Sequence, residues 1–337
     1  MQPKIWLNIL DYARRAPSPH NTQHWKFRLI DETHAVLLYD PARLLPVEDG
    51  KGQFMAAGFG IILEMISIAA APHGLELKTT LLNVPLDETK TEPTPFANLE
   101  LVPRTAPEPL DRELILKRRT SRLPYNDNVV PQFVLDELAA VAASFDNQLE
   151  SSNDPKQVKF ILDLNADTMF LDLRVKDTRD EIGHWTRYSK QQARQTGDGL
   201  AAYAMLFPGW MMTLFFKHNW LFQIPGVHQL CKWMYTRSMR GTKTVAWISG
   251  KFVEQADCIN AGRMLARLWL TMTKHGIYLH PFGSVITNHR SHQVMEDHFA
   301  NPNRRDPLWL LVRLGQSDTP PQAMRLTLND ILINEIP

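Results

Sequence analysis

The chain of 337 residues has two cysteines, Cys231 and Cys258, far apart and in no CxxC spacing, so neither a disulfide framework nor a cysteine zinc site is suggested. It has no surplus of charge either. Its 37 lysines and arginines stand against 36 aspartates and glutamates, a formal net charge of +1. That balance gives neither nucleic acid nor an anionic membrane a claim as the main partner, and any basic cluster must act locally. GxGxxG, P-loop and GxSxG motifs are missing, so a Rossmann dinucleotide site and a serine hydrolase lack support. The opening stretch MQPKIWLNILDYARR has no uniform apolar core and no small-residue cleavage site, so no secretory leader is read and a cytoplasmic location is expected.

What is present is an ordinary globular composition, 44% hydrophobic and 22% charged, in a chain long enough for one large domain or two of ordinary size. Residues 5–15 carry Ile5 and Ile9 on one face and end in Arg14 and Arg15, where cations suit a helix C-terminus. Lys26 to Ile30 and Ala35 to Tyr39 alternate around Asp31-Glu32-Thr33 and read as a β-hairpin. Gln53 to Ala71 is apolar on several faces, which predicts a helix buried on several sides, and Leu75 to Leu82 predicts a strand. Residues 84–109 hold six prolines and read as a connector, with a short strand at Leu99 to Val102. Helices are expected at Asp111 to Lys117 and Gln132 to Ala143, and strands at Val158 to Leu164 and Thr244 to Ser249.

The chain repeats itself. Setting His73-Gly74 on His275-Gly276 puts Gly60 on Gly262, Leu63 on Leu265, Ile66 on Leu268 and Leu77 on Leu279 without a gap. Each half then owns a long helix that ends in His-Gly and passes into a strand, which points to a tandem duplication. The halves divide as residues 1–105 and 106–337.

Two polar clusters stand out. Ala16 to Trp25, APSPHNTQHW, crowds hydroxyls and amides between two prolines, a poor core but a good cradle for a ligand rich in oxygen and ring nitrogen. Leu116 to Arg122, LKRRTSR, is a basic run. The first resembles the flavin-binding turn, and the second the phosphate-gripping RRS-type segment, of the nitroreductase family of FMN-dependent oxidoreductases. The resemblance is to the twin-domain, Acg-like branch and runs over most of the chain. It implies an α+β, nitroreductase-like fold. Two tandem halves would form an intramolecular pseudo-dimer, with mixed, mainly antiparallel sheets and two long central helices.

The resemblance also implies roles. Pro17, Ser18, Pro19, Asn21 and Gln23 would form the flavin turn. Arg118 would bind the FMN phosphate, Arg119 and Thr120 the ribityl chain, and Arg122 would sit near flavin N1 and O2. Arg325, in the closing segment PQAMRLTLNDIL, falls on a second phosphate arginine. Pro281, Phe282 and Gly283 lie where the family sends a backbone N–H to flavin N5, with Phe282 and Gly283 equal candidates. No catalytic side chain is assigned, because the flavin carries the chemistry. The first half keeps only the turn and the second only the arginines, its own turn position reading FDNQLESSND, so one composite FMN site is expected per chain. The implied function is transfer of electrons from NAD(P)H through FMN to a small organic acceptor, with a flavin-sequestering or storage protein as the alternative. The protein would be a monomer as a pseudo-dimer, or a higher homo-oligomer.

An insertion is expected at Thr178 to Thr242. Gly199 to Phe216 contains no charge, and Met211, Met212, Trp220, Phe222, Trp233 and Met234 add apolar surface. Pro208-Gly209 argues against a bilayer span, so an apolar lid over the flavin is the preferred reading, and membrane contact through 199–233 the less favoured one. His289, His292, His298 and Glu296 lie on a polar segment and read as a solvated face, so no metal site is expected.

Overall fold

The computed structural model describes residues 3–218, 220, 224–299 and 306–333. The first half runs α1 (Lys4–Ala13), β1 (Trp25–Leu29), β2 (His34–Tyr39), α2 (Gln53–Ala70), β3 (Leu75–Leu81) and β4 (Thr94–Pro103). After α3 (Glu113–Lys117), the second half runs α4 (Gln132–Ala143) and β5 (Asn147–Ser152). Elements α5 (Pro155–Asp172), α6 (Lys176–Trp185), β6 (Thr186–Arg187), α7 (Lys190–Thr196), β7 (Leu200–Ala201), α8 (Ala202–Met205), α9 (Gly209–Lys217) and α10 (Pro225–Ser238) then intervene. The half resumes with β8 (Thr244–Gly250), α11 (Gln255–Lys274), β9 (Tyr278–Pro281), α12 (Gly283–Thr287), α13 (His289–His298), β10 (Leu308–Gly315) and α14 (Leu328–Ile331).

Two four-stranded antiparallel sheets, β1-β2-β4-β3 and β5-β8-β10-β9, form the frame. Within each half the spatial order is first, second, fourth, third, so the duplication read from the sequence is a duplication of topology. The chain adopts an α+β fold. Parallel pairing is confined, among the described residues, to β6 with β7 and to isolated bridges.

The helices α2 and α11 cross at the centre, and their contact is reciprocal. A Cβ on Gly60 would lie 2.0 Å from the Ile259 carbonyl oxygen, and one on Gly262 would lie 1.9 Å from that of Ala57. The offset that pairs Gly60 with Gly262 also pairs Ala57 with Ile259. Residue i touches j as j touches i, the signature of an isologous contact, here inside one chain. Glycine is required at both points because the backbones meet. Around this crossing α2 is buried almost throughout, from Met55 to Ala70. It is long and apolar enough to cross a membrane by length and composition alone, but 89% of it is inside the protein, which makes it a core helix.

Ion pairs lock the crossing. Buried Glu64 of α2 receives Arg267 of α11 at 2.6 Å, and Arg267 forks onto Glu108 with two bonds of 3.0 Å. The closing segment returns to the first half: Ile333 N–H donates to Phe27 O at 2.8 Å, and Arg14 Nη1 to Leu326 O at 2.9 Å. This return delivers Arg325 to the turn after α1.

Several expectations need correction. Val158 to Leu164 is not a strand but part of α5, which starts at Pro155 with the Asp154 carboxylate accepting the Lys156 N–H at 3.0 Å. The second half's first strand is β5, in the stretch FDNQLESSND. The intervening elements therefore begin at Pro155, well before Thr178. The strand expected at Leu99 to Val102 extends over Thr94–Pro103, and Pro95 is tolerated next to a register shift between Leu37 and Leu38 of β2. The uncharged run at 199–216 is broken into β7, α8 and α9, with Pro208 as the N-cap of α9. Phe222, counted with the apolar surface, lies outside the described residues.

Candidate functional site

The turn between α1 and β1 is held in an unusual backbone shape. His20, Asn21 and Gln23 have φ of 46°, 56° and 52°, left-handed values that cost non-glycine residues about 1–3 kcal/mol each and so require surrounding contacts to hold them. The contacts are specific. Ser18 Oγ accepts the Gln23 N–H at 2.9 Å. Asn21 Nδ2 donates to Gly199 O and Met324 O, both at 3.1 Å, and Gly199 N–H donates back to Asn21 O at 3.1 Å. Gln23 Nε2 donates to Gly197 O at 3.0 Å while its Oε1 accepts the Leu326 N–H at 2.9 Å. Gln23, expected to touch a ligand, is thus spent at both ends on the protein, and Asn21 keeps only its buried Oδ1 without a partner. These two amides shape the cradle.

Beneath the turn, His24 is fully buried, with Nε2 2.9 Å from Met55 O and Nδ1 3.3 Å from Thr22 Oγ1. Burial pushes its pKa down to about 3, with only the Met55 carbonyl opposing, so it is neutral. His20 differs: Nε2 lies 2.8 Å from Glu48 Oε2, and Nδ1 is buried without a partner. Burial is the largest single influence and would lower its pKa, but the charge and hydrogen bond of Glu48, joined by the charge of Glu181, together raise it.

Arginines converge behind the turn. Arg118 Nη2 and Arg325 Nη2 both donate to Arg15 O, each at 3.3 Å. Arg118 is buried over the Trp269 ring, 4.5 Å from its centroid, and its Nε and Nη1 have no partner. Arg325 Nε and Arg15 Nε are also buried and unpartnered. Burial, then Arg325 and Arg119, hold the Arg118 pKa well below its ordinary value, while burial followed by Arg15 and Arg119 brings Arg325 down to about 10. Removing a charged group from water without a partner costs several kcal/mol. Clustered guanidinium groups with buried, unpartnered nitrogens therefore fit an anion whose several oxygens accept forked hydrogen bonds, such as a phosphate.

The other candidates extend from this cluster. Arg119 Nη1 is folded onto Leu116 O at 2.8 Å and Arg118 O at 3.1 Å. Thr120 bridges to Leu279 of β9, which joins the arginine segment to the strand leading to Pro281. Arg122 has its pKa lowered by burial and by Arg313, and together with Arg313 it depresses buried His280, where burial is the leading cause. Of the two amides weighed for flavin N5, Phe282 is in the core and its N–H donates to Leu311 O at 2.8 Å. Gly283 is the first residue of α12, and a Cβ there would meet nothing within 4 Å.

Residues absent from the sequence reading complete the frame. The Gly197-Asp198-Gly199 loop lies on the turn, and Asp198 bridges Arg43 at 3.0 Å and Arg187 at 2.7 Å while Arg43 Nη1 holds Thr22 O at 2.7 Å. The sequence signal for this loop was two glycines around an aspartate, which marks a turn but not its target. Arg15 and Trp269 gave no signal beyond their helices. His292 bonds Leu308 O at 2.7 Å and His298 stacks on Phe160; no metal-binding group of three His, Cys, Asp or Glu occurs among the described residues. A cleft of about 280 Å³ near the starts of α2 and α11, lined by Asp49 and Cys258 among others, includes none of the turn or arginine residues.

No protein-family model matches the chain. The acg protein of Mycobacterium tuberculosis, provisionally named an NAD(P)H nitroreductase, is 30% identical over 179 residues in each of two strains, CDC 1551 / Oshkosh and ATCC 25618 / H37Rv. The alignment takes in 52% of this chain and 45% of the relative, so the chain spans less than half the length of the curated relatives it matches. Among solved structures, a nitroreductase of Anabaena variabilis, itself provisionally named, superposes over 93% of this chain and 73% of its own, at 12% identity and a TM-score of 0.41. The FMN-dependent nitroreductase NfnB of Mycobacterium smegmatis, in complex with NADPH, superposes over 65% of this chain and 94% of its own, at 18% identity and a TM-score of 0.36. A nitroreductase of Desulfitobacterium hafniense with bound FMN covers 66% and 97%, at 10% identity and a TM-score of 0.37. At such scores these likenesses carry nothing about ligand or activity. The similarity that counts is the one in sequence to the mycobacterial relatives, over about half of this chain.

Proposed function

We propose that the chain binds one FMN between the 17–23 turn and the 118–122 segment, and works as a nitroreductase-type oxidoreductase passing electrons from NAD(P)H to a small organic acceptor. The observation that supports this most is the Arg118 guanidinium, buried with two nitrogens unpartnered and surrounded by Arg15, Arg119 and Arg325. Arg118 and Arg325 would hold the phosphate. Arg119 and Thr120 would flank the ribityl chain, and Pro17, Ser18 and Pro19 the ring's cradle. Arg122 would favour negative charge on the pyrimidine edge, and the Gly283 N–H would meet N5. Bound there, the flavin supplies the two-electron chemistry and the protein positions it and excludes water.

In this reading residues 1–105 and 106–337 are two halves of one pseudo-dimer, active as a monomer or within a higher homo-oligomer. The 197–199 loop, bonded to Asn21 and Gln23, ties the intervening elements to the turn and supports their role as a cover. That same contact favours the second reading, a flavin-holding protein whose cover blocks turnover. Stopped-flow reduction of the FMN-loaded protein by NADPH and by NADH separates the two: rapid bleaching is expected for the oxidoreductase, and none over minutes would leave the holding protein.

A further inference from the structure

The apolar side chains of the intervening elements divide into two sets. Met211 and Met212 are buried, as are Cys231 and Tyr235 on the inward stripe of α10 and Met239 just after it. The others face solvent: Trp210 is 71% exposed, Trp220 56% and Trp233 55%, with Leu214, Ile224 and Leu230 also exposed. On α9, Trp210, Leu214 and Lys217 follow one another at i, i+4 and i+7, one helical stripe. On α10, Leu230, Trp233 and Arg237 do the same at i, i+3 and i+7, with the Arg237 guanidinium 5.3 Å from the Trp233 ring centroid. A flavin cover needs an inner apolar face. It does not need three tryptophans on the outside.

The charge pattern says what meets them. From Gly199 to Val253 the sequence has no aspartate or glutamate but six lysines and arginines: Lys217, Lys232, Arg237, Arg240, Lys243 and Lys251. Lys232 is paired with Asp167 of α5, and Lys243 with Asp127 at 3.4 Å. Lys217, Arg237 and Arg240 have no carboxylate partner among the described residues. In a chain of net charge +1, this stretch is a local exception. Exposed tryptophans beside unpaired cations suit the boundary of an anionic bilayer, where indole rings lie at headgroup depth and each cation adds attraction to acidic lipid.

We infer that α9, Trp220 and α10 form a peripheral docking surface for an anionic lipid bilayer, lying on the membrane without crossing it. This surface is separate from the flavin site, so its test can fail while the proposed function stands. The test is flotation of the full chain with vesicles of phosphatidylcholine alone and with one-third phosphatidylglycerol, at low and high salt. Three proteins are compared: wild type, Trp210→Ser/Trp233→Ser and Lys217→Glu/Arg237→Glu. All four positions are solvent-facing, so an unchanged unfolding temperature checks that the fold is intact. Wild type should float with the anionic vesicles only, lose binding at high salt, and lose it by roughly tenfold or more in each variant. Absence of flotation at low salt, or equal flotation with neutral and anionic vesicles, would overturn the inference. So would wild type that self-associates without touching vesicles while the tryptophan variant stays monomeric, since the surface would then belong to a second copy.

Discussion

Each of the two central helices has an arginine from elsewhere in the chain packed at a corresponding position, and the two are treated in opposite ways. The offset that pairs Gly60 with Gly262 pairs Ser67 of α2 with Trp269 of α11. At Ser67 sits Arg104, which donates to the Ser67 carbonyl at 2.9 Å and to the Glu108 carboxylate at 3.2 Å. At Trp269 sits Arg118, stacked on the ring, with two unpartnered nitrogens and other arginines as neighbours. One guanidinium is neutralised and belongs to the structure. The other has two buried nitrogens without a partner, which a fold tolerates at a cost in stability and which a bound anion would relieve.

The largest way to break the comparison is to break the crossing that relates the helices. Gly262→Val would drive a side chain into the Ala57 carbonyl, 1.9 Å from the new Cβ, and should destabilise the protein by about 3 kcal/mol or more in urea unfolding. Gly226→Ala, where a Cβ meets nothing within 4 Å, is the control and should change little.

The arginines should then respond with opposite signs. Arg104→Ala removes a charge-assisted bond to buried Glu108 and should cost about 2 kcal/mol. Arg118→Met, in the flavin-free protein, removes an uncompensated buried charge and should raise stability by about 1 kcal/mol or more. Destabilisation by both would mean that Arg118 is a structural residue after all.

A second contrast, within the turn, is read by pH. His24, depressed to about 3 by burial, binds fewer protons folded than unfolded between that value and its ordinary one. Stability from this group is therefore complete above its ordinary value near 6.5 and falls with acidification, by about 2 kcal/mol at pH 5. His20, raised by Glu48 against burial, contributes stability that is complete below its ordinary value and is lost as pH rises through the raised one. Unfolding midpoints across pH 4 to 9 should show a maximum between the two limbs, with His24→Gln flattening the acid limb and His20→Gln the alkaline one.

Much of the frame was legible because it is written in periodicity. The hairpin of β1 and β2, α2, α4 and the His-Gly register all follow from apolar spacing. What escaped did so for local reasons. Val158 to Leu164 is a short apolar run whose period cannot separate strand from helix, and the deciding signal was Asp154-Pro155, an N-cap followed by proline at the first helical position. β5 escaped because Asn147–Ser152 is polar and lacks the β-branched residues of a buried strand. At the site, the residue types of the turn and of the arginine run were readable, and the structure brings them together through the Arg15 carbonyl. That Gln23 would be consumed by Gly197 and Leu326, or that Trp269 would underlie Arg118, depends on contacts across the chain that no local pattern encodes.

The most direct test of a single anion-binding flavin site is a calorimetric titration of the flavin-free chain with FMN, beside riboflavin, which lacks the phosphate. One FMN per chain is expected, with riboflavin and the Arg118→Ala variant each weakened by about 1.5–3 kcal/mol, the worth of a hydrogen bond to a charged group. Two equivalent FMN per chain, or an Arg118→Ala variant that binds FMN as tightly as the parent, would contradict the account.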